Sequence, residues 1–116
     1  MSSIEVKSFS NADEVNTDFN NARMDAVNVG GQRVIQLTLQ PGWKWSNDIK
    51  PIVGTESCQA THLGVIISGT VKAIHNDGTE ATYTAGDAYS IQPGHDGMVV
   101  GDEPAIVYEF AGAWGE

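Results

Sequence analysis

Apolar residues along the chain come in short runs that are separated by turn residues. In "DAVNVGGQRVIQLTL" (25–39), two apolar runs flank Gly30 and Gly31, a pair that is typical of a tight hairpin turn. The run "HLGVIISGTVKAIH" (62–75) is apolar and β-branched at successive positions, which is typical of a strand covered on both faces. Alternating runs follow in "EATYT", "DAYSIQ" and "GMVVGDEPAIVYEFAG". The pattern predicts many short strands and therefore an all-β sandwich or barrel.

Two parts of the chain lack such runs. Up to about residue 21 the chain is polar without a sustained period, so residues 1–24 are predicted to form a leader or edge segment and residues 25–116 the barrel domain. The stretch "PGWKWSNDIKP" (41–51) is predicted to be a break between strands, with Trp43 and Trp45 on one face if it is extended. The one helical turn expected is a short one near residues 12–19.

Composition narrows the classes of function. With 116 residues the chain is predicted to form a single domain, and its formal charge of −9 argues against nucleic acid and anionic membranes as partners. No apolar run is long enough to span a bilayer, and the polar N-terminus lacks the order of a secretory signal. The single cysteine cannot form an internal disulfide, so a reducing, cytoplasmic location is expected.

The order of the turns resembles the cupin superfamily over about residues 41–112. The stretch "GDAYSIQPGHDG" is similar to the second cupin motif from Gly86 to Gly94, and "HLGVIISG" is similar to the end of the first motif. The resemblance implies a double-stranded β-helix, or jelly-roll, barrel. It also implies a small-molecule or metal site in the barrel and, commonly, a homodimer, to which the N-terminal segment and "RVIQLTL" are expected to contribute.

The chain departs from the motifs at the positions of the usual metal ligands. His62 stands where the first motif has a carboxylate, and Gly97 stands where the second motif has a histidine. The H-x-H of the first motif falls on Glu56 and Cys58 in one register, and on Asp48 and Lys50 in another. The resemblance therefore implies a subgroup with its own site rather than the usual three-histidine, one-glutamate set.

The residues that replace those ligands can still hold a metal. Glu56, Cys58 and His62 are separated by even numbers of residues, so in an extended strand they point to one face, and His95 shares the parity of Gly97. A thiolate and two imidazoles from Cys58, His62 and His95 suit zinc best, and also suit iron, nickel or copper. The structural alternative is a buried thiol, a hydrogen-bonded core histidine and a histidine in a turn.

Other candidates are secondary. Glu56 is expected near the site without being a ligand, and Asp96 is a candidate to orient an imidazole. Trp43, Trp45 and Tyr89 are core aromatics that would also suit a pocket for a planar ligand. His75, beside the "NDG" turn, is predicted to be structural.

Three functions remain open. The first is a metal-dependent enzyme that acts on a small molecule. The second is a non-catalytic protein that binds a small molecule in the barrel, and the third is an accessory protein that acts through a dimer surface. Cys58 could also serve as a nucleophile with His62 or His95 as its base.

Overall fold

The computed structural model describes residues 3–111, which fold into two antiparallel sheets. The larger sheet has six strands in the order β1-β2-β3-β9-β4-β7, and the smaller sheet has three in the order β6-β5-β8. The strands are β1 (Glu14–Asn16), β2 (Ala22–Val29), β3 (Gln32–Leu39), β4 (His62–Ser68), β5 (Thr70–His75), β6 (Glu80–Thr84), β7 (Ala88–Ile91), β8 (His95–Val99) and β9 (Ala105–Ala111). The predicted all-β fold is confirmed.

The turns explain why the strands stop where they do. Gly30 and Gly31 have φ values of 58° and 76° and close the β2–β3 hairpin at the predicted place. Gly69, with φ of 77°, divides the predicted long strand 62–75 into β4 and β5, which belong to different sheets. That strand is also not covered on both faces, because Leu63 and Ile67 point outward and are exposed.

The segment before β4 is helical, which the sequence did not predict. Two one-turn helices, α1 (Trp45–Asp48) and α2 (Lys50–Val53), follow the turn at Gly42, and α2 ends at Gly54 in the left-handed conformation. The helical turn expected near residues 12–19 is absent from its predicted place: a 3-10 turn spans Phe9–Asn11, and β1 occupies part of the predicted stretch. None of the helices in residues 3–111 is long and apolar enough to cross a membrane.

The core lies between the two sheets. Its largest fully buried side chains are Ile35 on β3, Ile66 on β4 and Ile49 beside α1. Trp43 and Trp45 are both buried in this core, although α1 begins at Trp45 and the segment is not extended. The inward faces of β4, β8 and β9 carry polar side chains at one end of the core, and these form the site.

Candidate functional site

Cys58, His62 and His95 converge in the interior of the barrel. All three side chains belong to buried residues that are at most 5 % exposed, and their candidate ligand atoms lie within 4.8 Å of one another. The sulfur of Cys58 is 3.5 Å from Nε2 of His62. The two imidazole rings meet edge to face with their centroids 5.0 Å apart.

Both sheets contribute to this cluster. His62 opens β4 in the larger sheet, and His95 opens β8 in the smaller one. Cys58 lies in the irregular segment between α2 and β4, where it forms a bridge with His95: its N–H donates to the His95 carbonyl at 2.7 Å, and its carbonyl accepts from the Gly94 N–H at 2.7 Å. These backbone bonds hold the thiol and the His95 imidazole side by side.

Each imidazole is oriented through its other nitrogen. Nδ1 of His62 lies 2.8 Å from Oε1 of Glu109, and Nδ1 of His95 lies 2.7 Å from the carbonyl oxygen of Gln92. A carbonyl can only accept, so Nδ1 of His95 donates its proton, and the carboxylate of Glu109 likewise accepts from His62. In both rings Nε2 is then the nitrogen left to bind a ligand.

Glu109 is a site residue that the sequence reasoning missed. It is a buried carboxylate on β9 that accepts from Nδ1 of His62 and, at 2.6 Å, from the hydroxyl of Tyr89. The alternation of residues along β9 could have identified it. Every second residue of the strand, Ala105, Val107 and Glu109, faces inward, so an acid stands where an apolar residue is expected.

Glycine at position 64 makes room for this carboxylate. A Cβ on Gly64 would collide with the backbone carbonyl of Tyr108 and would lie 3.0 Å from both the Glu109 side chain and the Tyr89 hydroxyl. The pairing of β4 with β9 is irregular between Leu63 and Gly64. Glu109 pairs with Gly64 after this irregularity, and its side chain lies next to His62.

The electrostatics of the cluster favour an ion pair between Cys58 and His62. Burial opposes ionisation of the Cys58 thiol, but hydrogen bonds from His62, His95 and the Ala60 backbone outweigh it and lower the pKa of Cys58 to about 6. Burial likewise opposes the charge on His62, yet its hydrogen bonds to Cys58 and Glu109 raise its pKa to about 10. Burial and the negative charge of Glu109 raise the pKa of Tyr89, so its hydroxyl stays protonated and donates.

The cluster faces a cavity of about 40 Å³. Its walls are mainly aromatic and aliphatic, and the rings of Tyr83 and Tyr89 stack with their centroids 4.4 Å apart. The cavity is lined by Leu37, Leu39, Trp43, Trp45, Cys58, His62, Ala73, Tyr83, Tyr89, Ile91, His95, Asp96, Gly97, Val107 and Glu109. The predicted pocket residues Trp43, Trp45 and Tyr89 therefore border it, and Tyr83 is an addition to them.

Two other predicted residues have different surroundings from those expected. The side chain of Glu56 is 97 % exposed and pairs with Lys50, because residues 54–61 are irregular and the even spacing from Cys58 does not bring it inward. Oδ1 of Asp96 accepts from the backbone N–H groups of Ser46 and Gly97, so this carboxylate ties α1 to β8 and is not hydrogen-bonded to an imidazole. Nε2 of His75 lies 2.8 Å from the Pro93 carbonyl, outside the cluster.

Gly97 stands where the second cupin motif has a histidine, and it faces the indole of Trp43. A Cβ there would lie 3.6 Å from the Trp43 ring, so a longer side chain would enter the space that the indole fills. His95 and Gly97 share the inward face of β8, as their parity predicted. The imidazole thus enters the barrel two residues before the usual position.

No protein-family model and no curated protein sequence matches the chain. Solved structures do match. An RmlC-like cupin from Shewanella frigidimarina is 16 % identical with a TM-score of 0.61, and the alignment covers 95 % of this chain and 93 % of that chain. A protein with a double-stranded β-helix domain from Klebsiella pneumoniae is 18 % identical with a TM-score of 0.59, over 91 % of this chain and 82 % of that one.

A longer protein of known structure also matches. The oxalate decarboxylase of Lactobacillus farciminis is 14 % identical with a TM-score of 0.59, and the alignment covers 94 % of this chain but only 33 % of that chain. At these identities the likeness concerns the fold. The resemblance seen in the sequence motifs is confirmed at that level: the chain has the double-stranded β-helix fold of the cupin superfamily.

Proposed function

We propose that the protein binds a divalent metal ion through Cys58, His62 and His95 and uses the site to bind or convert a small molecule. The observation that carries this proposal is the convergence of three buried donors within 4.8 Å. Donors around a tetrahedral zinc ion lie roughly 3.3–3.8 Å apart, given bonds of about 2.0–2.3 Å, so the side chains need to close by only about 1 Å.

The hydrogen bonds around the donors support the same assignment. Both imidazoles donate from Nδ1 to an oxygen, an arrangement that fixes the ring and makes Nε2 the nitrogen that a metal would take. One thiolate and two imidazoles suit zinc best, with iron, nickel and copper as the alternatives. Three protein donors leave a fourth position for water or a small molecule.

The cavity favours a small ligand with an apolar surface. Trp43, Tyr83 and Tyr89 line it, and the hydroxyl of Tyr89 is already bonded to Glu109. A protein of the same fold is named as an oxalate decarboxylase, so the fold can host chemistry on a small carboxylic acid. A non-catalytic protein that holds a small molecule in this cavity is the alternative, and it needs no metal.

The proposal includes a homodimer and a cytoplasmic location. Leu63 and Ile67 on β4 and Phe110 on β9 are 51 %, 46 % and 54 % exposed, and this outward apolar area suits contact with a second copy. The strand "RVIQLTL" (β3) lies between β2 and β9, so it can contribute a face but not a free edge. A reducing compartment keeps Cys58 available as a ligand.

Metal titration of tag-free protein tests the proposal. We expect one zinc ion per chain, release of a proton from the cluster, and a higher melting temperature on binding. His95→Ala and Cys58→Ser should each lower zinc affinity by tenfold or more, whereas His75→Ala should not. Equal affinity in all three variants, or no binding by the wild type, would contradict the metal site and leave the small-molecule-binding function in its place.

A further inference from the structure

Cys58, His62 and Glu109 are aligned as a nucleophile, a base and an orienting carboxylate. The sulfur of Cys58 lies 3.5 Å from Nε2 of His62, and Nδ1 of the same ring lies 2.8 Å from Oε1 of Glu109. All three residues are buried, and all three line the cavity. This chain of contacts is the arrangement by which proteins activate a thiol, with the carboxylate holding the imidazole in the productive orientation.

The backbone of the Cys58–His95 bridge has no free N–H group to support acyl transfer. That chemistry needs free N–H groups to stabilise an oxyanion beside the nucleophile. Here the N–H of Cys58 donates to the His95 carbonyl, and the N–H groups of Gly94 and His95 donate to the Cys58 carbonyl. The backbone donors on both sides of the Cys58–His95 bridge are therefore already used.

The cavity has room for a small reactant beside Cys58. Its volume of about 40 Å³ is enough for a molecule of a few heavy atoms. A reactant of two heavy atoms fits, and its leaving group should require only a proton. Hydrogen peroxide meets both conditions.

We propose that the metal-free protein reacts with hydrogen peroxide at Cys58. With the thiol proton already held by His62, the sulfur attacks one peroxide oxygen while the O–O bond breaks. The sulfur is oxidised by two electrons to sulfenic acid, and the peroxide is reduced to water as the departing hydroxide takes the proton from His62. The products are Cys58 sulfenic acid and water, and no other reactant is consumed.

The fate of the product follows from the sequence. Cys58 is the only cysteine, so the sulfenic acid has no thiol partner within the chain and should persist until a small external thiol reduces it. The reaction is independent of the proposed metal function, although both use the same sulfur. A bound metal is expected to protect Cys58.

The test uses the full chain after treatment with a chelator. Protein is exposed to hydrogen peroxide for graded times and then unfolded in the presence of dimedone, and the labelled fraction is measured by mass spectrometry. We expect the folded wild type to react at least about tenfold faster than free cysteine in the same buffer, as expected for an activated thiol. Cys58→Ser should give no dimedone adduct.

Matched variants identify the roles of the other two residues. His62→Gln and Glu109→Gln, checked for folding by circular dichroism, should each slow the reaction by about tenfold, while His75→Gln should leave it unchanged. If a variant does not fold, the comparison is between folded wild type and wild type unfolded in urea, which should react more slowly. A folded wild type no faster than free cysteine, or a folded His62→Gln variant equal to wild type, overturns the proposal.

Zinc separates this proposal from the previous one. Saturating zinc should suppress the peroxide reaction of the wild type if both proposals hold. A protein that binds no zinc but reacts rapidly with peroxide contradicts only the metal site. A protein that binds zinc but does not react when metal-free contradicts only the thiol chemistry.

Discussion

At the scale of single residues, Glu109 connects the polar cluster to the aromatic wall of the cavity. One carboxylate oxygen orients His62, and the other accepts from Tyr89 at 2.6 Å. A buried carboxylate is costly unless its oxygens are hydrogen-bonded, so these two contacts are what allows Glu109 to occupy an inward position.

Replacing Tyr89 by phenylalanine tests that dependence. The change keeps the ring stacked on Tyr83 but removes one hydrogen-bond donor to Glu109. Tyr89→Phe should lower the free energy of unfolding by about 1–3 kcal/mol, measured by urea denaturation. Tyr83→Phe is the matched control with a smaller expected loss, and equal losses in the two variants would contradict the role assigned to the Tyr89 hydroxyl.

Cys58 should ionise well below the usual range for a thiol. Because His62, His95 and Ala60 lower its pKa to about 6, the thiolate absorbance in the ultraviolet should be present at pH 7 in metal-free protein and disappear as the pH falls through about 6. His62→Gln removes the main partner and should move this transition to a more alkaline pH. A wild-type transition near that of free cysteine would rule out the ion pair.

The same pair predicts how stability varies with pH. Taken by itself, the lowered pKa of Cys58 stabilises the folded state at high pH, and this contribution is lost as the pH falls through about 6. Taken by itself, the raised pKa of His62 stabilises the folded state at low pH, and this contribution is lost as the pH rises through about 10. Between the unfolded values of 6.5 and 9.0, the folded thiolate–imidazolium pair and the unfolded thiol–imidazole pair each hold one proton, so the two slopes cancel.

The contribution of the pair should therefore be constant between pH 6.5 and 9.0 and should fall by about 1 kcal/mol from pH 9 to 10, where only the folded state keeps a proton on His62. Urea denaturation at a series of pH values measures this. Cys58→Ser serves as the reference, since it removes the ion pair. A wild-type stability that rises from pH 9 to 10 relative to this reference would be inconsistent with the raised pKa of His62.

At the scale of elements, the contact between β4 and β9 depends on the absence of a side chain at position 64. Gly64→Ala places a methyl group against the Tyr108 carbonyl and crowds Glu109 and Tyr89. We expect a loss of about 1–3 kcal/mol in the free energy of unfolding, as for overpacking in a core. Gly97→Ala, whose Cβ would make only ordinary contacts, is the control and should cost less.

The elements show what the alternation of apolar residues can and cannot predict. The β2–β3 hairpin and the strands β6 to β9 were predictable, because short alternating runs and glycine turns act locally. The helices α1 and α2 were not, because each has only one turn and "PGWKWSNDIKP" has no helical period. The N–H of Ser46 in α1 bonds to Asp96, a partner 50 residues away.

The candidate site was predictable only in part for the same reason. Cys58, His62 and His95 could be named from their places in or near the two motifs, and the structure places these three together, but the bridge between Cys58 and His95, and not the even spacing, turns Cys58 inward. Glu109 lies 47 residues from His62 and belongs to no motif, so only the sheet register brings them into contact. Glu56 shows the reverse case, since even spacing holds only in a strand, and its segment is irregular.

At the scale of the whole molecule, the outward face of β4 and β9 carries exposed apolar side chains. Leu63, Ile67 and Phe110 point outward there. The ring of Phe9 stacks on Tyr108 with centroids 5.3 Å apart, so the N-terminal segment already contacts the outward side of β9. This surface is where the proposed homodimer should form.

Light scattering of the wild type should give the mass of two chains. The double variant Leu63→Glu with Ile67→Glu places two carboxylates on the outward face and should give a monomer, because burying them against a second copy is unfavourable. Ile52→Glu, at an exposed apolar residue on α2, is the control and should remain dimeric. A monomeric wild type at high protein concentration would exclude the dimer.

The indole of Trp43 and the bare backbone of Gly97 have an evolutionary consequence. A Cβ at position 97 would already touch the indole of Trp43, so we expect a larger side chain such as histidine at 97 to crowd it and the two positions to covary among homologous chains. Adding the histidine alone overpacks the core, and truncating the tryptophan alone leaves a void that costs about 3–5 kcal/mol. We therefore expect an evolutionary change between a histidine at 97 and the histidine at 95 to be accompanied by a change at position 43. Changing only one of positions 43 and 97 would give a less stable protein.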